Sequence, residues 1–183
     1  MRRLGKPRLT PLGLSEIDPA IREEFFPNHS DDNALNINKT LMRHPLLCRR
    51  WLPFADYILS EQSLPPRDRE LLILRIGWLC QAPYEWRAHS FLAKAVGMKS
   101  EEIERIKQGP QADGWSPFDR LLLTAVDELH RDAIIEDATW EELAKKYNEQ
   151  QMIDLIVTVG QYNLVCMVLN SLSVPLDEHL FPE

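Results

Sequence analysis

Paired cysteines, an excess of basic charge, strand-like alternation and an unbroken apolar run are all missing from this 183-residue chain, and each absence removes a class of function. The three cysteines, Cys48, Cys80 and Cys166, are odd in number and far apart, with no Cys-x-x-Cys and no zinc-like spacing. Buried free thiols in a reducing compartment are the expected state. With 21 Lys+Arg against 28 Asp+Glu the net charge is -7, which argues against nucleic acid as a partner, because phosphates need a basic face. The basic start, Met1 to Lys6, has no apolar stretch behind it and predicts no signal peptide. The most apolar segment, Leu155 to Leu172, is interrupted by Thr158, Gly160, Gln161, Asn163 and Asn170, so it predicts a buried helix and no membrane partner. A cytoplasmic protein is expected.

What the chain does have is helical periodicity. Apolar residues at 44% and charged residues at 27% are ordinary for a globular protein, and the length suits one domain with a sizeable core. The Pro-rich start is irregular apart from a short helix near Pro19 to Phe25. Ile37 to His44 reads as another short helix. A longer one begins at Pro45, with Leu47, Trp51, Phe54 and Ile58 at helical spacing and a kink at Pro53. After Leu64-Pro65-Pro66, the segment from Arg67 to about Cys80 is apolar on most of its surface and is expected to be central. Pro83 opens the next helix and Gly97 is placed to end it. Ser100 is expected to cap a further helix. Gly109 to Gly114 is a loop, and Ser116-Pro117 opens the helix that carries His130 near its end, where the dipole favours a cation. Thr139 with Glu142 fits a capping box, and Asn148 caps a long final helix to about Ser171. The fold class is all-α: a single-domain bundle of about seven or eight helices over residues 37–175, with an N-terminal extension (1–36) and a C-terminal tail (176–183).

Within this pattern Glu85 and His89 stand four apart on the helix opened by Pro83, so their side chains stack on one face. Arg87, Ser90 and Lys94 share the opposite face, which places the Glu/His pair on the side that the pattern assigns to the core. A carboxylate beside an imidazole is an acid/base pair, and a buried one needs a reason. Glu70 lies on the stripe of Ile73, Leu74 and Gly77, away from Asp68 and Arg75, and also points inward. A helix hairpin through the short Gln81–Ala82 turn would bring all three groups together, with Gly77 allowing close approach and Tyr84 as a supporting phenol donor. Such a set can move protons at neutral pH, or it can be a structural network that orients the hairpin. A metal site of the Glu-x-x-His kind is the third option, but the spacing here is four rather than three and has no second copy. Arg75 and Arg87 could hold a substrate carboxylate, but both fall on faces assigned to solvent or a partner. Gln161, Tyr162, Asn163 and Asn170 line either a pocket or an interface.

The stretch from Leu64 through Glu70 to Tyr84-Glu85-Trp86-Arg87-Ala88-His89, then Gly97 to Ile103, resembles the carboxymuconolactone decarboxylase family, to which alkylhydroperoxidase D is related. The Glu–x14–Glu–x3–His spacing carries most of the resemblance, which runs from about Ile37 to Asn170. It implies an alkylhydroperoxidase D-like helical fold and a homo-oligomer, from dimer or trimer to hexamer. In the peroxidase branch two cysteines precede the histidine; their positions here hold Ala82 and Glu85, so dithiol chemistry at that motif is lost. The decarboxylase branch carries glutamate at the Glu85 position and histidine at the His89 position. The resemblance therefore implies decarboxylation of a small carboxylated lactone or related acid without metal or cofactor, with His89 delivering the proton, Glu85 orienting it and Glu70 tuning it. Two alternatives stay open: peroxide reduction through the single thiol of Cys80, and a non-catalytic oligomeric protein that binds a small acid.

Overall fold

The structure is a computed structural model that describes residues 5–182; the first four residues of the basic start and residue 183 lie outside it. Among the described residues there are nine α-helices and no strand. They are α1 (Pro19–Phe25), α2 (Asn36–Leu41), α3 (Pro45–Asp56), α4 (Pro66–Leu79), α5 (Pro83–Ala95), α6 (Ser100–Ile106), α7 (Pro117–Asp132), α8 (Asp137–Ala144) and α9 (Glu149–Leu172). Five of them, α1, α3, α4, α5 and α7, begin with proline, whose fixed φ suits the first helical position and whose missing N–H would have no partner there. Side-chain caps complete several starts: Ser116 Oγ accepts from Asp119 N at 3.0 Å, and Asn148 Oδ1 from Gln151 N at 3.0 Å.

Helix α4 is the axis of the molecule. Leu71, Leu72, Ile73, Leu74 and Ile76 are fully buried, and α5, α7 and α9 pack around them. Burying each such side chain is worth about 2 kcal/mol. A second apolar cluster joins the two ends of the chain: Leu14, Ile17, Phe26, Ala34 and Ile37 pack with Tyr84, Val165, Leu169 and Val174. Helix α9 is long and apolar enough to cross a membrane by length and composition alone, but more than half of its apolar stretch is packed inside the protein. Its outer side carries Ile153, Leu164 and Met167 in exposed positions.

Several local expectations are corrected by tertiary contacts. The helix α3 passes Pro53 and runs to Asp56, and the irregularity comes later, as a π-helical turn over Tyr57–Glu61 closed by Gln62 N to Tyr57 O at 3.0 Å. Leu47 and Phe54 face solvent, because the inner side of α3 holds Cys48, Trp51, Leu52 and Ala55. Ser100 is the first helical residue of α6 rather than its cap; Glu102 Oε2 instead accepts from the N–H of Lys99 at 3.1 Å. Thr139 lies inside α8 and donates to Glu128 Oε1 at 2.8 Å, and Glu128 Oε2 also takes the N–H of Glu136. A carboxylate from α7 thus caps α8, which no local pattern announces. Asp68 and Arg75, assigned to solvent by the helical wheel, are buried: Arg75 forks onto Asp127 at 2.6 and 2.8 Å, and Asp68 accepts from Tyr147 Oη at 2.6 Å.

Candidate active site

The α4–α5 hairpin turns tightly. Gln81 adopts a left-handed conformation (φ 55°), Ala82 N reaches back to Gly77 O at 3.0 Å, and α5 starts at Pro83. At Gly77 an added Cβ would lie 3.4 Å from the Cβ of Glu85, so glycine sets the closeness of the two helices at the level of the site.

Across this hairpin the three acid/base residues form a chain. His89 Nδ1 is 2.7 Å from Glu70 Oε2, and His89 Nε2 is 3.2 Å from Glu85 Oε2. Arg69 Nε donates to the other Glu70 oxygen at 3.1 Å. Glu70, Glu85 and His89 are all buried. The Nε2–Oε2 contact is too oblique to be a good hydrogen bond, so Glu85 Oε2 is a buried acceptor without a proper donor.

Electrostatics fix the protonation of this chain. Burial alone would strip the proton from His89, but the charge of Glu70 and the contacts to both carboxylates outweigh it and raise the imidazole to about 9. For Glu70 burial works to raise the pKa, yet the opposing charge of His89 and that of Arg69 hold the carboxyl below its usual range. At neutral pH the arrangement is therefore an imidazolium held by an ionised Glu70. Tyr162 stands edge-on to the His89 ring, with centroids 4.8 Å apart, and its phenol is pushed well above the usual value by burial and by the charges of Glu85 and Glu70.

Glu85 and His89 open onto a cavity of about 340 Å³ whose other walls include Leu35, Ile37, Asn38, Trp51, Leu52, Gln161, Tyr162 and Val165. Gln161 Oε1 accepts from Trp51 Nε1 at 3.0 Å, which leaves its buried Nε2 without a partner. A ligand therefore meets one unfilled acceptor, Glu85 Oε2, and one unfilled donor, Gln161 Nε2, set in apolar surroundings. Among the described residues no Arg or Lys lines this cavity, whose wall also carries Asp56. A second cavity, of about 330 Å³ and lined by Trp86, Arg87, Phe91 and Lys94, lies on the other side of α5 and does not touch His89.

The structure brings together Glu70, Glu85 and His89 but not the other two candidates. Tyr84 is turned away: its hydroxyl donates to Asp177 Oδ2, which also receives Asn36 N at 3.1 Å. The phenol is tied to the C-terminal segment and is not a donor to the cavity. Cys80, half-buried at the end of α4, donates through Sγ to Asn163 Oδ1 at 3.1 Å and does not line the cavity. The expected metal-like alternative is disfavoured by geometry, since carboxylates engage both ring nitrogens of His89, on opposite edges of the ring. Among the described residues no group of three or more His, Cys, Asp or Glu is arranged to hold a metal ion. Arg87 points at the C-terminal tail, with Nε donating to Phe181 O at 2.7 Å. Trp51 and Asn38 in the cavity wall carried no signal in the sequence, whereas Gln161 and Tyr162 were visible as polar breaks in an apolar helix.

Residues 45–122 match the model of the carboxymuconolactone decarboxylase family. Among solved structures, an uncharacterized peroxidase-related protein from Ralstonia eutropha JMP134, described as an alkylhydroperoxidase AhpD core, superposes with a TM-score of 0.81 at 17% identity, covering 99% of this chain and 96% of that one. A peroxidase-related protein from Silicibacter sp. TM1040 gives 0.73 at 17% identity over 96% and 94%. A protein of unknown function from Agrobacterium tumefaciens, described as a putative antioxidant defence protein AhpD, gives 0.69 at 17% identity over 74% and 94%. These likenesses establish the all-helical AhpD-like fold. No curated protein matches the chain.

Proposed function

We propose that the protein is a cofactor-independent enzyme that moves a proton onto a small carboxylated lactone or related acid as CO₂ leaves, a reading supported by the match of residues 45–122 to the carboxymuconolactone decarboxylase family model. The observation that carries this reading is the state of His89: an imidazolium fixed at Nδ1 by Glu70, with Nε2 beside Glu85 at the wall of a largely apolar cavity. A decarboxylase needs such a group. Breaking the C–CO₂ bond leaves an electron pair on carbon as an enolate, and a positioned acid must fill it.

In this reading the substrate's apolar body rests on Leu35, Ile37, Leu52 and Val165, and an oxygen of the lactone or acid takes the free Nε2–H of Gln161. Among the described residues His89 is the only cationic group at the wall, so it faces the carboxylate in the ground state and the carbanion afterwards. The apolar wall replaces the hydration shell of the carboxylate with groups that favour neutral CO₂. His89 Nε2–H then passes to carbon, and the ring draws a proton back from solvent. Glu70 keeps Nδ1 protonated throughout and fixes the ring, while the Glu85 carboxylate beside Nε2 favours the cationic imidazole. Net, one carboxylate and one proton become one C–H bond and CO₂.

A homo-oligomer is part of the same reading, supported by the exposed apolar side chains along α9, and is checked by sedimentation of the purified chain. For the chemistry the test is His89→Ala. Turnover of carboxylated lactones is expected to fall by at least about a hundredfold, the usual scale for losing a general acid, while helicity and assembly stay unchanged. Turnover at the wild-type level would overturn the proposal, and tight binding of the acid with no product in the wild type would make the cavity a binding site only.

A further inference from the structure

Six buried side-chain atoms find no hydrogen-bond partner among the described residues, and two of them belong to the wall of the His89 cavity: Glu85 Oε2 and Gln161 Nε2. One is an acceptor and the other a donor. Glu85 is the exception among the carboxylates. Glu70 receives Arg69 Nε on one oxygen and His89 Nδ1 on the other. Asp154 takes the hydroxyl of Tyr57 at 2.7 Å, and the N–H and hydroxyl of Ser63 at 2.7 and 2.6 Å. Glu128 fills its two oxygens from Thr139 and Glu136. No other carboxylate among the described residues keeps a buried oxygen without a donor. The imidazolium beside Glu85 balances its charge but gives Oε2 no well-aligned N–H.

The identity of the unfilled donor is fixed by its neighbour. Trp51 Nε1–H can only donate, so the atom of Gln161 that faces it is the oxygen, and Nε2 is the atom left over. A carboxylated lactone without a hydroxyl offers the cavity acceptors alone. Those suit Gln161 Nε2 and His89, but they leave Glu85 Oε2 out of water with nothing to accept. A ligand that displaces solvent from such an atom has to replace the bond it breaks. The wall therefore selects for a donor on the ligand. A hydroxyl fits better than an ammonium. It brings one O–H to one unfilled acceptor, whereas an ammonium brings three N–H groups and a charge that apolar surroundings desolvate at high cost.

We propose that the substrate is a hydroxylated acid, whose hydroxyl donates to Glu85 Oε2 while a carbonyl or carboxylate oxygen of the same molecule accepts from Gln161 Nε2. This rests on the reading of the His89 cavity as the substrate site. It gives Glu85 a second task, selection of the substrate, beside its effect on the charge of His89.

The test is equilibrium binding to the intact chain, followed by calorimetry, with cyclohexanecarboxylate, its ring-hydroxylated isomers and the matching amino acids as probes. At least one hydroxylated isomer is expected to bind at least about tenfold more tightly than the unsubstituted acid. In Glu85→Met, which keeps the length of the side chain and removes the acceptor, that preference is expected to shrink to about twofold or less. In Gln161→Leu both acids weaken together and the preference stays. Equal binding of the hydroxylated and unsubstituted acids by the wild type would overturn the proposal, as would a hydroxyl preference that survives Glu85→Met. An amino acid that binds more tightly than its hydroxylated counterpart would replace the hydroxyl by an ammonium. No turnover is read, so the two proposals fail separately. A hydroxyl preference without CO₂ from any carboxylated lactone removes the decarboxylation and keeps this assignment; CO₂ released equally from hydroxylated and hydroxyl-free lactones does the reverse.

Discussion

Replacing Glu70 by glutamine removes one charge and keeps the shape, which makes it the sharpest probe of the proton chain. In the wild type His89 titrates near 9 when folded and near 6.5 when unfolded. A group whose folded pKa is raised adds stability that is complete below about pH 6.5 and is lost as pH rises through about 9. The interval from 6.5 to about 9, at about 1.4 kcal/mol per pH unit, amounts to about 3 kcal/mol. Glu70 itself, held below its usual range, stays ionised across that window and adds no slope of its own. In Glu70→Gln the larger of the two carboxylate contributions that oppose burial is gone, Glu85 alone remains against it, and the His89 pKa is expected to fall back toward or below its unfolded value. Urea unfolding followed by tryptophan fluorescence, at fixed protein concentration, reads the difference. Between about pH 6 and about pH 9.5 the wild type is expected to lose about 3 kcal/mol more than the variant, or about 1 M or more in midpoint. Parallel pH curves for the two proteins would refute the assignment of an imidazolium at His89, and with it the role of His89 as proton donor.

Three further substitutions separate structure from chemistry. Tyr84→Phe takes one hydrogen bond from buried Asp177 and is expected to cost about 1–3 kcal/mol in urea unfolding with turnover unchanged; a large loss of turnover would return Tyr84 to the active site. Arg75→Met leaves a quarter-exposed Asp127 unpaired and strips a donor from Ile106 O at 2.9 Å, for an expected cost of about 2–3 kcal/mol; a neutral effect would mean the pair is not formed in solution. Gln161→Leu removes the unfilled donor of the cavity, so KM for an acid substrate is expected to rise about tenfold with kcat little changed, and an unchanged KM would take Gln161 out of the binding site.

The helices and the triad were legible because both rest on short-range patterns. Proline starts, the Asn148 and Ser116 caps, and the all-apolar Leu71–Ile76 segment each declare themselves within one or two turns. Glu70, Glu85 and His89 could be brought together because a four-residue spacing and a two-residue turn leave the hairpin few ways to close. What stayed hidden depends on partners far along the chain. Arg75 looked like a solvent residue because its stripe shows nothing of Asp127, 52 positions later. Thr139 looked like a cap because Glu128, the true capping group, sits on another helix. Tyr84 is next to Glu85 in sequence, yet on a helix adjacent residues diverge by about 100°, and Asp177 claims its hydroxyl.

The cavity has two origins in the sequence. Its acid/base residues come from the segment that matches the family, within residues 45–122, together with Trp51 and Leu52. Leu35, Ile37 and Asn38 precede that segment, and Gln161, Tyr162 and Val165 follow it. Asp177 staples the first group in place by accepting Asn36 N and the Tyr84 hydroxyl. On the proposed reading, substitutions at Leu35, Ile37, Asn38, Gln161 or Val165 would retune what enters while leaving Glu70, Glu85 and His89 in place, whereas Tyr162 packs on the His89 ring itself. If the proposed decarboxylation holds, two proteins that share this hairpin would differ in the acid they take through these flanks, and a comparison aimed at substrate choice starts there.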